Sequence, residues 1–402
     1  MNYTVATNFD NNLIQEIARF GIVKSVYGKL RSDIVGGGRV SHALPEISMK
    51  RLADHIACCH LEGISFNYLL NATCIGNREL TRDHRKIFTF IDRITGMGAD
   101  SFTVANTNLL KMMRRRYPDL NLASSLFFQV RSLDEIRHLE DIGANEITLF
   151  YNFNRNFALL EKAVFCIGPE TKLRLIANNT CIHNCFDIQE HANYISHMTQ
   201  AGPSGNTFTY DAYRLNCGLQ KIKHPAKLIS SDWIRPEDVH FYEAIGKGKI
   251  LLKLTDRIAP TAWLLQVVKA YSEKKKEGNL LDILSFPSRN AIGQIHRRNI
   301  LSGILKGNVT PGKFVEFARA NQLLPIHIDN AGLEGFLEGM QKINCSETRC
   351  SCGRCSSGTD VADGCTYCKS FAERVITIDE DARQKSIEMN TRLLEAIYRG
   401  NF

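Results

Sequence analysis

"KLRLIANNTCIHNC", residues 172–185, opens as an apolar β-type run and closes in amides and thiols. A short, nearly continuous apolar stretch suits a strand covered on both faces, as in a parallel sheet flanked by helices. In such sheets the chemistry sits where strands end, so Asn178, Cys181 and Cys185 fall where a site would be built.

Similar runs occur along the chain at 22–30, 64–71, 101–106, 120–128, 145–152, 172–178, a weaker one at 226–230 (AKLIS), and 249–254. Helical patterns separate them at 49–63, 84–98, 132–143 and 261–276, several with apolar residues spaced by three and four. The helix at 132–143 opens with Ser132 and Glu135, a capping-box pair, and closes on Gly143. Eight strands alternating with helices imply parallel pairing and right-handed crossovers. The expected class is α/β, a (β/α)8 TIM-type barrel over residues 1–277, with a doubly wound open sheet as the alternative. Residues 278–402 are expected to form a cysteine-rich, metal-binding helical extension whose last segment, from Lys369, is a closing helix. No GxGxxG follows the first run, and GGGRV (36–40) reads as a flexible loop.

Hydrophobic content of 44% and charged content of 23% over 402 residues are those of a globular enzyme. No apolar run approaches the roughly 20 residues of a membrane span. The N-terminal segment lacks a basic region followed by an apolar one, so no signal peptide is expected and the chain is expected in the cytoplasm, away from membranes. The net charge of +8 is spread over KMMRRRYP (111–118), SEKKKEG (272–278) and IHRRN (295–299), which read as solvated helix faces, with RNA or an acidic substrate as the alternative.

Thirteen cysteines in a reducing compartment are not disulfide staples. Cys58, Cys59 and Cys166 sit in apolar contexts and read as packing. Cys181, Cys185 and, downstream in DAYRLNCGLQK, Cys217 read as ligands of zinc or of an iron–sulfur cluster. His183 or His191 would complete a zinc site. Cys74 would complete a cluster, which could equally keep one iron open to substrate. The pattern Cx3Cx2C fails because position 188 is Ile188. His183, His191 and His197 are acid–base candidates beside such a metal. A second set, Cys345, Cys350, Cys352, Cys355, Cys365 and Cys368, has metal-knuckle spacing with little apolar material between, so Zn2+ or a second [4Fe-4S] cluster is expected to hold it. Four of the six suffice, with Cys345, Cys350, Cys365 and Cys368 preferred.

Strand ends also present Asn71, Asn106, Tyr151, Asn152, Asn154, Asn178, Lys253, Asp256 and Arg257. Asparagines there either contact substrate or cap the next helix. Substrate contacts are assigned to Asn71, Asn106, Tyr151, Asn154 and Arg235, and catalytic roles to His183, Lys253, Arg257 and Asn178. Arg257 and Lys253 are expected to receive carboxylates. HExxH and GxSxG are absent.

VYGKL near the start, NNTCIHNC, and SSDWIRPEDVHFYEAIGKGKILLKLTDR (230–257) together resemble peptidase family U32. The corresponding positions are Asp232, Trp233, Arg235, Pro236, Asp238 and Arg257, with Thr255-Asp256-Arg257 standing where the family commonly has EGR. The stretch from IDNAGLEGF to Cys368 resembles a cysteine-rich C-terminal extension of one bacterial branch. The resemblance implies a barrel carrying a four-cysteine [4Fe-4S] cluster, mapped here onto Cys181, Cys185 and Cys217 with Cys74 as fourth. It further implies either oxygen-independent hydroxylation, in some relatives with prephenate as oxygen donor, or collagen-degrading proteolysis. Substrates implied are a small molecule, a carrier-bound group or RNA. A U32-type partner in a heterodimer, in which this chain's cluster is structural, is the non-catalytic alternative.

Overall fold

The period-two pattern of the strands decides the architecture. In the strand Lys172–Ile176, Leu173 and Leu175 are buried in the layer beneath the helices, while Arg174 between them faces the opposite way. In Ile250–Leu254 the same alternation puts Ile250, Leu252 and Leu254 in that layer and turns Lys253 to the other face. The computed structural model describes residues 1–201, 208–286, 297–320, 326–343 and 365–401. Eight strands, β1 (Asn2–Ala6), β2 (Val23–Gly28), β3 (Ser65–Leu70), β4 (Ser101–Val104), β5 (Asn121–Ser124), β6 (Glu146–Thr148), β7 (Lys172–Ile176) and β8 (Ile250–Leu254), pair in parallel and in chain order. β8 returns to β1 to close the barrel.

The inner face is polar and stitched across the strands. Ser25 Oγ donates to Thr4 Oγ1 at 2.9 Å, Asn67 Nδ2 to Ser101 Oγ at 2.7 Å, and Thr103 Oγ1 to Asn67 Oδ1 at 2.6 Å. Arg174 pairs with Glu146. Such networks hold when their members are satisfied, yet Nε and Nη1 of Arg174 have no partner among the described residues.

Two expectations about strands are corrected. AKLIS is a helix, Ala226–Ser230, whose buried Ala226, Leu228 and Ile229 cluster on one side. Five residues are too few to separate a period of 2 from one of 3.6. The strand that completes the eight is NYTVA at the N-terminus, which was not read as one. The expected single closing helix also divides. Helix Thr366–Val375 runs into β10 (Ile376–Ile378), antiparallel to β9 (Ile326–Ile328), and Glu380–Tyr398 begins anew at the N-cap Asp379. Ile376-Thr377-Ile378 is a β-branched run, which disfavours helix and suits a strand. The helix of the expected capping box is Leu133–Asp141, with both reciprocal bonds present.

The loop of Gly36, Gly37 and Gly38 is held rather than free. All three have positive φ, and Asp33 Oδ1 accepts from the backbone N–H groups of Val35 and Gly36 while Thr199 Oγ1 accepts from that of Gly37. A Cβ on Gly37 would stand 2.3 Å from the Asn71 backbone, so the loop lies flat on the end of β3. The extension shares the barrel's apolar layer through Ile326, Ile328, Phe336, Cys368 and Val375. Helix Glu380–Tyr398 packs on helix Ala212–Lys223. Among the described residues no helix is long and apolar enough to cross a membrane.

Candidate active site at the barrel mouth

A cavity of about 220 Å³ opens where the strands end. Its walls come from Gly38 and Arg39 after β2, Asn71 after β3, and Tyr151 after β6. The segment Asn179–Ile182 with Cys185 follows β7, and Lys253 and Thr255–Ile258 come from β8 and the residues beyond it. Helix Ala212–Lys223 adds Arg214, Cys217 and Lys221, spaced by three and four and therefore on one face.

Cys181, Cys185 and Cys217 all line this cavity. Cys181 N–H donates to Asn179 Oδ1 at 3.0 Å, Cys185 N–H to Ile182 O at 3.1 Å, and Asn184 takes a left-handed conformation. That tight reversal turns both thiols to one side. Burial, and then the neighbouring Cys217, raises Cys181, which is hydrogen-bonded to the Tyr151 hydroxyl. The same two causes push Cys185 up to about 11. Among the described residues no group of three or more His, Cys, Asp or Glu is drawn together closely enough to hold a metal ion as it stands. The thiols are neighbours around a pocket, with Lys221 and Arg39 lowering Cys181. Cys74 lies outside the lining, its carbonyl accepting from Gln200 Nε2. Of the packing cysteines, Cys59 is buried, while Cys58 and Cys166 rest half-buried against the same apolar layer.

Arg257 lines the same cavity. It is 4% exposed, and both its Nη1 and Nη2 lack a partner among the described residues, as does Asn71 Oδ1. Burial lowers its pKa to about 10, which leaves it charged at neutral pH. Arg39 pairs with Asp256 at 3.1 Å, and Ser285 Oγ donates to Asp256 at 3.1 Å. Lys253 Nζ lies 3.8 Å from the centre of the Tyr27 ring. Burial, then Arg174 and Arg257, holds its ammonium well below the ordinary lysine range.

Of the remaining sequence candidates, His191 shares the cavity and the others fall elsewhere. His191 lines the cavity, with Nε2 3.1 Å from Asp211 Oδ2 and its ring stacked on Tyr213. His183 sits between the thiols in sequence, but its Nδ1 pairs with Asp232 Oδ2 at 2.8 Å outside the lining. His197 lies in the last turn of helix Ile188–Met198. Asn106 caps helix Thr107–Arg116, accepting from Leu109 N–H at 2.8 Å. Asn178 is buried and ties β7 to β8, donating to Thr255 O and accepting from Thr255 N–H, each at 2.7 Å. Asn154 donates to Ile176 O and Asp232 O, and Arg235 forms a two-bonded pair with Asp238. Cys345, Cys350, Cys352 and Cys355 lie outside the described residues. Cys368 is buried, and its hydrogen bond with Cys365, together with burial, raises it well above the ordinary thiol range. Arg39, Arg214, Lys221 and Ser285 were not singled out from sequence. For Arg214 and Lys221 the signal was present, since they share a helical face with Cys217.

The fold and mouth define a parallel (β/α)8 barrel with a thiol-lined, cationic pocket. The family model described as peptidase family U32 matches residues 37–154, a span that includes Gly38, Arg39, Asn71 and Tyr151. An uncharacterized protease of Methanocaldococcus jannaschii is 27% identical over 260 residues, covering 63% of this chain and 74% of that one. Among solved structures, the U32 peptidase Mk0906 is 18% identical with a TM-score of 0.47, covering 64% of this chain and 93% of its own. A D-psicose 3-epimerase is 10% identical with a TM-score of 0.36, covering 68% and 96%. Over residues 37–154 the chain is similar to peptidase family U32, the family its motifs elsewhere resemble.

Proposed function

We propose that the protein is an iron–sulfur enzyme of the U32 type. It would carry out oxygen-independent hydroxylation, or a related redox modification, of an anionic small-molecule, carrier-bound or RNA substrate. The observation that supports this reading is the placement of Cys181, Cys185 and Cys217 in one cavity with the unpartnered guanidinium of Arg257. Three thiols from two segments line the cavity and would draw together to ligate the group, with Lys221, Arg39 and Arg214 on the same walls to offset the negative charge of a thiolate-bound cluster. When bound, the cluster would supply one-electron transfer and a Lewis-acidic iron. Arg257 and Asn71 would orient an anion, since a guanidinium with two free N–H edges matches a carboxylate or phosphate. The Tyr151 hydroxyl would hydrogen-bond the Cys181 sulfur, the kind of contact that tunes a cluster's potential. Leu126, Ile182, Ile188 and Phe286 line the cavity and would limit water. Anaerobic purification and reconstitution test the reading, with absorbance, EPR and iron and sulfide assays. About four irons per chain in the barrel site are expected. A colourless preparation with zinc alone overturns it.

A second reading, peptidase activity, draws on the His183–Asp232 pair at 2.8 Å and on the protease label of the archaeal relative. Hydrolysis of a peptide substrate that is lost in His183→Ala while iron content stays unchanged would favour it.

A further inference from the structure

Lys253 is the fourth residue of β8, on the face that turns into the barrel, and it lines the cavity. The other buried lysines are engaged. Lys29 Nζ stands 2.9 Å from Asp33 Oδ2, and Lys221 Nζ donates to Thr180 Oγ1 at 3.3 Å. Lys253 has no carboxylate partner among the described residues. The acid nearest in sequence, Asp256, is held by Arg39 and Ser285. Its neighbours are instead the guanidiniums of Arg174 and Arg257 and the face of the Tyr27 ring. A buried ammonium without a counter-charge is unfavourable, and two flanking cations make it more so, whereas a neutral amine is tolerated and is a nucleophile. Lysine amines of this kind, desolvated beside other cations, condense with carbonyl compounds.

We propose that Lys253 is an amine nucleophile that forms an imine with a small oxo-acid, whose carboxylate is received by the free edge of Arg257. The Nζ lone pair forms the C–N bond while the carbonyl π pair moves to oxygen. That oxygen gains the proton released by nitrogen, giving a carbinolamine. Loss of the oxygen as water leaves the imine, and hydrolysis reverses every step with no oxidant or reductant consumed. Arg257 sits four residues beyond Lys253, its Nη1 and Nη2 both unpartnered among the described residues, so a carboxylate and a carbonyl in one small molecule can meet both groups. This activity stands apart from any cluster.

The test uses the full-length, anaerobically purified protein with pyruvate and sodium cyanoborohydride at neutral pH. Hydride addition to the imine carbon fixes the adduct as a secondary amine. Intact mass and peptide mapping of the wild-type protein are expected to show one dominant carboxyethyl group, on Lys253. Arg257→Met is expected to raise the pyruvate concentration needed for half-labelling about tenfold or more, and to weaken labelling by acetone, which has no carboxylate, by much less, that smaller part being the lost influence of the guanidinium on the Lys253 amine. Label spread over surface lysines with Lys253 unmodified overturns the proposal. Iron content is read on the same samples. Labelled Lys253 without iron sustains this proposal and sinks the cluster reading, whereas iron with unlabelled Lys253 does the reverse.

Discussion

Gly38 and Arg257 meet so closely that a Cβ on the glycine would stand 2.5 Å from Arg257 Nη2 and 3.0 Å from Asn71 Oδ1. The glycine also sits at φ +92°, which side-chain-bearing residues rarely adopt. The missing side chain at position 38 therefore sets where the guanidinium rests. Gly38→Ala is expected to displace Arg257 and to cost about 1–3 kcal/mol from backbone strain. Urea denaturation reads that loss, and an unchanged midpoint would show that the loop is not held in this conformation.

Asp33 anchors the same loop from below. Its carboxylate takes Lys29 Nζ at 2.9 Å, the Tyr68 hydroxyl at 2.9 Å and the two loop N–H groups, and the Lys29 and Asp33 side chains are both fully buried. Removing one partner of such a pair strands the other charge, so Asp33→Ala is expected to destabilise the fold by about 3–5 kcal/mol. The double change Lys29→Met with Asp33→Ala removes the stranded ammonium and is expected to be milder than Asp33→Ala alone. Denaturant melts of the two variants decide this, and equal losses would assign the whole effect to the loop.

What sequence made legible follows from which contacts are local. The barrel could be read because strand and helix patterns are written within single segments. So could the Ser132–Glu135 capping box, whose partners lie three residues apart. NYTVA was missed because its own five residues carry too little pattern and its closing partner, β8, lies far along the chain. At the site, the gathering of three thiols was read from spacing and strand-end position. The engagement of Asn178 with Thr255, 77 residues away, was not readable, nor was that of His183 with Asp232 or Asp256 with Arg39. Each depends on how crossovers bring loop ends together, which no local pattern encodes.

Two buried histidines give stability a pH dependence. Burial lowers both His42 and His55 to about 4 from an ordinary 6.5. His55 Nε2 and Nδ1 are engaged by Thr7 and Asn11, and His42 packs on Phe208. The unfolded chain thus binds protons between pH 6.5 and 4 that the folded chain refuses. Stability is therefore complete above about pH 6.5, declines as pH falls toward 4, and levels off below for this contribution. Each histidine is expected to account for roughly 3 kcal/mol across that window. His55→Gln should flatten the decline measured by urea melts at several pH values, and a parallel curve would exclude His55 as a source.

Cys74 and Cys217, both expected as ligands of one cluster, are separated by the fold. Cys217 shares a helical face with Arg214 and Lys221 on the cavity wall and acts on both Cys181 and Cys185. Cys74 lies outside that wall, in a loop bound to helix Ile188–Met198 through Thr73 and Ser196. If thiolates of this pocket hold iron, Cys217→Ala is expected to strip the barrel cluster and its absorbance, and Cys74→Ala to retain both. The effect on folding is expected to be small for either, since neither side chain is fully buried. Iron and sulfide assays on the two variants, reconstituted side by side, read the contrast. Loss of iron in Cys74→Ala to the same extent as in Cys217→Ala would mean that the loop after β3 closes over the pocket when metal binds.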